Sequence, residues 1–197
     1  MATAIDICND ALMFIGQKPI TDFNIKNNVP SYYCTQAYDR ARKATLRAHP
    51  WNFAFNVKAL ALSSEDPEFG YTYRYQMPDM CLKPIVITNS LSVPTELHSL
   101  IASGNTAFMV YQKNILTNIE SAKLAYTEDI EDPNKFTDDY RIALAYLIAA
   151  FVVMPLAKNV GLQQNMIAMY RQSLATAKGV DASENRTTTA DTGVSVR

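Results

Sequence analysis

Sixteen consecutive residues without a charge, Ile142 to Ala157, constrain this chain more than any other stretch. The run carries Tyr146 and Pro155 and falls short of the ~20 residues that cross a bilayer, so it predicts a buried helix and no membrane insertion. A helix that is apolar all round in a small protein must lie at the centre of a bundle or be buried against another copy of the chain. The chain has enough material for the first solution. It contains 197 residues, 48% of them hydrophobic and 19% charged, the composition of an ordinary globular protein of one domain.

Helical signals occur at both ends. Thr3 with Asp6 three residues on reads as a helix start, Ile5, Cys8, Leu12 and Ile15 follow at helical spacing, and Gly16 reads as the stop. A second helix opens near Pro30, with Tyr33, Ala37, Ala41, Ala44 and Ala48 as its apolar side, and ends before Pro50. After Asp132-Pro133 a core stripe runs through Phe136, Tyr140, Leu144, Leu147 and Phe151, and Pro155 is expected to kink or end that helix. A last helix carries Leu162, Met166, Met169, Tyr170, Leu174 and Ala177, and Gly179 closes it. Between Trp51 and Tyr126 the punctuation is that of strands and turns, with strands expected at Asn56 to Ser63, Lys83 to Thr88, Leu97 to Ala102, Ala107 to Gln112 and Ser121 to Thr127. The reading is α+β, mainly α. Residues 1–50 and 131–180 form a helical bundle, residues 51–130 an inserted β-rich lobe, and residues 181–197 an extended tail.

Eighteen Lys and Arg against nineteen Asp and Glu give a net charge of -1, which removes the bulk attraction of a duplex-wrapping protein. Any contact with nucleic acid must then be local. Cys8, Cys34 and Cys81 lack CxxC spacing, so neither a disulfide framework nor a zinc knuckle is indicated, and no cofactor is expected. The N-terminus lacks the pattern of a secretory signal. No nucleotide-binding, zinc-protease or serine-hydrolase motif occurs.

Four groups remain as candidates. His49, ahead of Pro50, reads as a helix-terminal cation, and His98 as a structural strand residue. Glu128, Asp129, Glu131 and Asp132 could supply a glycosidase pair, but anions before a helix start also favour its positive end. Arg40, Arg42, Lys43 and Arg47 lie on one helix and fit salt bridges to another subunit, a solvated face or a phosphate backbone. The acidic turn 128–132 of a neighbour is the matching partner. The aromatic residues Trp51, Phe53 and Phe55, with Tyr71, Tyr73 and Tyr75, read as a core joining bundle to lobe or as an interface hot spot.

Five stretches together resemble one family. They are Ala11-Leu-Met-Phe-Ile-Gly-Gln-Lys-Pro-Ile20, Arg47-Ala-His-Pro-Trp-Asn-Phe-Ala54, Tyr75-Gln-Met-Pro-Asp-Met-Cys-Leu-Lys83, Leu124-Ala-Tyr-Thr-Glu-Asp-Ile130 and the closing Ala175-Thr-Ala-Lys178. In order and spacing they are similar to the tail tubular protein A type of head-to-tail adaptor in short-tailed bacteriophages. The resemblance implies a non-enzymatic virion protein of the neck, assembled in the host cytoplasm. It implies a ring, usually of twelve subunits, that joins the portal protein to the tail nozzle protein, docks tail fibres in some members and continues the channel for double-stranded DNA. A DNA-contacting module and a tail-associated hydrolase are the alternatives.

The tail from Asp181 to Arg197 is too polar to bury a core. Thr188, Val194 and Val196 offer strand character and Arg186 and Arg197 offer charge anchors, so the segment reads as one that orders on a partner. By the resemblance, that surface is the portal or an adjacent subunit. Its removal is expected to leave the bundle's stability nearly unchanged.

Overall fold

The structure, a computed structural model, describes residues 2–23, 28–89 and 108–184, which hold four α-helices and six strands. The chain is α+β and mainly α, with a helical bundle drawn from both ends and β structure inserted between. Helix α1 spans Ala4–Phe14, α2 Val29–Arg47, α3 Asp138–Ala157 and α4 Val160–Glu184.

Local chemistry sets the helix starts. Thr3 Oγ1 accepts from the Asp6 N–H at 3.1 Å while the Asp6 carboxylate accepts from the Thr3 N–H at 2.8 Å, a reciprocal capping box. Asn28 accepts from the Ser31 N–H at 3.1 Å, with Pro30 in the first turn where no N–H is needed. Thr137 caps α3, and Asp138 and Asp139 favour its positive end. Past α1, Gly16 takes φ +69° and the Gln17 N–H donates to the Leu12 carbonyl at 2.9 Å, so the glycine ends the helix as expected. Pro155 does not break α3. It sits in the last turn, and the helix ends three residues later where Lys158 adopts a left-handed conformation and its N–H reaches the Val153 and Met154 carbonyls.

Helix α3 is the centre of the bundle, packed against α1, α2 and α4. Between Ala143 and Ala150 every residue but the half-buried Tyr146 is buried, which is why the sequence shows no polar face there. It is the one helix among the described residues long and apolar enough to cross a membrane, and half of that stretch is buried inside the fold. Helix α2 contributes Cys34, Ala37, Ala41, Arg42, Thr45 and Leu46, a stripe rotated from the expected one: Ala44 is exposed. Across the α1–α2 contact the buried Cys8 and Cys34 thiols share a hydrogen bond, which together with burial pushes Cys8 upward and, against burial, holds Cys34 below its ordinary value.

The inserted segment forms two antiparallel three-stranded sheets. In one, β6 (Lys123–Glu128) lies between β1 (Phe55–Ala59) and β3 (Cys81–Thr88); in the other, β5 (Asn114–Thr117) lies between β2 (Tyr73–Gln76) and β4 (Phe108–Tyr111). Pro84 is confined to the edge strand β3, beside an irregularity in its pairing with β6. Three expected strands appear with shifted ends, Leu97 to Ala102 lies outside the described residues, and the expected strand at Ala107 to Gln112 is β4. Strands β2 and β5 were not anticipated. From their sheet Tyr75 and Ile115 join Ile87, Leu124 and Tyr126 of the other in a second core separate from that of the bundle.

The β4–β5 turn consists of Gln112 and Lys113, with φ of 47° and 61°, between the paired Tyr111 and Asn114. A two-residue turn with both residues left-handed is the geometry that Asn-Gly serves without strain. The double substitution Gln112→Asn, Lys113→Gly is expected to raise the unfolding free energy by about 1 kcal/mol in urea titration.

Candidate functional site

The basic residues of α2 do not form one free face. Arg42 is 2% exposed. Its guanidinium donates to the Asp129 carboxylate, to the Ile130 carbonyl at 2.6 Å and to the Asp39 carboxylate at 2.6 Å. The acidic turn expected to meet Arg42 from a neighbouring subunit therefore meets it within the same chain. This corrects the assignment of Arg42 and Asp129 to an intersubunit contact, because a buried charge must be paired where it lies. Lys43 follows the same carboxylates, at 3.0 Å from Asp39 and 3.7 Å from Asp129. These bonds favour the charged forms: Arg42, through its bond to Asp39, holds that carboxyl below its ordinary value, and Asp39 raises Lys43. Asp39 is thus more acidic folded than unfolded. Its stabilisation is full above the ordinary carboxylate range and is lost as pH falls through the lowered value.

Arg40 and Arg47 have other roles. Arg40 is exposed and lies over the Phe151 ring, 5.7 Å from its centroid. Arg47 donates to the Leu82 carbonyl at 2.6 Å and Lys83 Nζ returns a bond to the Arg47 carbonyl at 3.1 Å, so the last turn of α2 is tied to β3. The four carboxylates of the turn also separate. Glu128 accepts from Asn56 at 3.2 Å, Asp129 holds Arg42, Glu131 is exposed, and Asp132 caps the 3-10 turn at Pro133–Lys135 through the Asn134 N–H at 3.0 Å. Among the described residues no group of three His, Cys, Asp or Glu is placed to hold a metal ion.

Next to Arg42 the bundle closes on aromatic rings. The indole N–H of the buried Trp51 donates to the Thr45 carbonyl in the last turn of α2 at 2.9 Å, and Tyr140 donates to the Arg42 carbonyl one turn earlier at 3.0 Å, so two rings are tied to the end of that helix. Trp51 and Tyr140 meet edge to face at 5.2 Å, with Phe53 and Phe136 beside them. The expected single aromatic core is two: Trp51 and Phe53 belong to the bundle, Tyr73 and Tyr75 to the lobe.

Sequence reasoning missed Asp181. The expected tail does not begin there, because α4 continues through Gly179 to Glu184. Asp181 is buried, and its carboxylate takes the Asn52 N–H at 3.1 Å and His49 Nε2 at 3.0 Å, while the Asn52 side chain donates to the Asp181 carbonyl at 2.7 Å. His49 therefore meets a carboxylate 132 residues away in addition to lying at the end of α2. The tail candidates Arg186, Thr188, Val194, Val196 and Arg197, and also His98, lie outside the described residues.

These contacts gather around one place, the junction of bundle and lobe. Asp129 donates its N–H to the Met80 carbonyl at 2.9 Å, Leu82 packs on the bundle core beside Arg47, and Trp51 lies under the end of α2. Comparison with known proteins gives no matching family and no matching curated protein.

Proposed function

We propose that this chain is the subunit of a head-to-tail adaptor ring, joining a phage portal to the tail nozzle and continuing the DNA channel. The observation that carries the reading is where the resembling stretches lie. Tyr75 to Lys83 meets Arg47 to Ala54 through the Arg47–Leu82 bond and Leu124 to Ile130 through the Met80–Asp129 bond, so the three stretches gather at the junction. The stretches that resemble such adaptors therefore lie at the joint between the β lobe and the helical bundle. A fixed angle between two units is what a connector between two larger assemblies needs.

The near-balanced charge suits a channel wall that DNA must slide past without being gripped. The expected result is retention of the purified chain by portal-bearing heads that lack a tail, in sedimentation at physiological salt, and no retention by heads that lack the portal. Binding to neither kind of head, with salt-sensitive binding to free duplex, would instead favour the DNA-contacting reading.

A further inference from the structure

The central helix offers apolar side chains to solvent on two sides. Near its start Ile142 is 48% exposed and near its end Phe151 is 42% exposed. Nine residues at ~100° each put them half a turn out of phase, so they look out from opposite sides of α3.

The two sides differ in charge. Helix α1 runs alongside α3 in the same direction, since the Ala2 N–H donates to Asn134 at 3.1 Å and the Phe14 ring stacks on Tyr146 at 4.3 Å. Asp6, Asp10 and Phe14, four residues apart, therefore lie beside Asp138, Ile142 and Tyr146, also four apart. Asp6, Asp10 and Asp138 are exposed, and among the described residues only Asp138 has an ion-pair partner, Arg141 at 2.8 Å. Partial burial, and then the neighbouring Asp6, push the Asp10 carboxyl upward. On the opposite side, the exposed Arg40 covers Phe151, Met154 is the exposed residue next along α3, and the exposed Lys158 follows just past the helix end. Among the described residues neither Arg40 nor Lys158 forms a salt bridge with a carboxylate.

We infer that the chain binds a second copy of itself head to tail, the acidic side around Asp10, Phe14 and Ile142 of one copy meeting the basic side around Arg40, Phe151 and Lys158 of the next. An apolar centre rimmed by complementary charge is the anatomy of an interface. Two different patches on opposite sides of one rigid helix repeat the same rotation at each step, which closes into a ring or runs on as a filament. Closure rests on the adaptor reading; the pairing of faces rests on this chain alone.

Both faces are tested by reversing exposed charges, which leaves the buried core untouched. In analytical ultracentrifugation at low salt the wild-type chain sediments as an oligomer, and Asp10→Arg or Arg40→Glu alone weakens association at least about tenfold. Mixing the two variants restores it, because each then offers its intact face to the other and the two reversed faces are again opposite in sign. Oligomers that form equally well in both single variants overturn the assignment of faces and leave the ring standing. A wild-type chain that stays monomeric at every concentration and on portal-bearing heads overturns both.

Discussion

Replacing Arg42 by alanine lowers the free energy of unfolding by about 3 to 5 kcal/mol, the range for removing one partner of a buried pair. The loss has two parts. Asp129, Asp39 and the Ile130 carbonyl lose their common donor, and removal of one of the largest buried side chains leaves a cavity. Replacing Arg42 by methionine together with Asp129 by leucine recovers much of the loss, since a buried pair is worth little over well-packed apolar residues of similar size. Urea unfolding followed by the fluorescence of the one tryptophan, Trp51, reads both variants. A loss under about 1 kcal/mol in Arg42→Ala would show that the α2 basic residues belong to the surface after all.

Asp181→Ala is expected to cost about 2 to 3 kcal/mol, because it strips the acceptor from the Asn52 N–H and from His49 at the seam between α4 and the end of α2. A chain ended after Val180 loses these contacts and also the Asn52 side-chain bond to the Asp181 carbonyl, and should cost at least as much. This reverses the expectation that everything from residue 181 onward is dispensable for stability. Equal stability of wild type, Asp181→Ala and the shortened chain in thermal unfolding would restore that expectation.

The parts of the fold that were legible in the sequence are those with local causes. Thr3 and Asp6 announce α1, Gly16 ends it, and the uncharged run of α3 demands a central place, which the bundle provides. The parts that were not legible depend on partners far along the chain. Arg42 looks like one member of a basic stripe until residues 87 and 88 positions away supply a carboxylate and a carbonyl. Its phase with Cys34, Ala41 and Thr45 was the available signal, and the run of neighbouring cations obscured it. Strand β2 was hidden for a similar reason, since Arg74, on the face opposite the core residue Tyr75, is a buried cation held by Glu65 and Glu68. Gly179 reads as a stop, yet its φ is not positive and Asp181 two residues later is rewarded for staying helical. Cys8 and Cys34, distant in sequence, meet only because α1 and α2 pack together.

The candidate site divides in the same way. Residue types pointed to α2 and to the turn 128–132, and those elements do meet, but inside one subunit. The surfaces proposed to face a neighbour are Arg40 with Phe151 on one side and Asp10 with Ile142 on the other. Neither surface stands out in a linear pattern, because each is assembled from two helices.

The most direct test of the adaptor account is the mass of the intact wild-type assembly, measured by native mass spectrometry on the chain alone and after release from portal-bearing heads. The account predicts a closed species near twelve times the 22.0 kDa chain in the released material. Release of single chains, or a mass that grows with concentration without a limit, would contradict it.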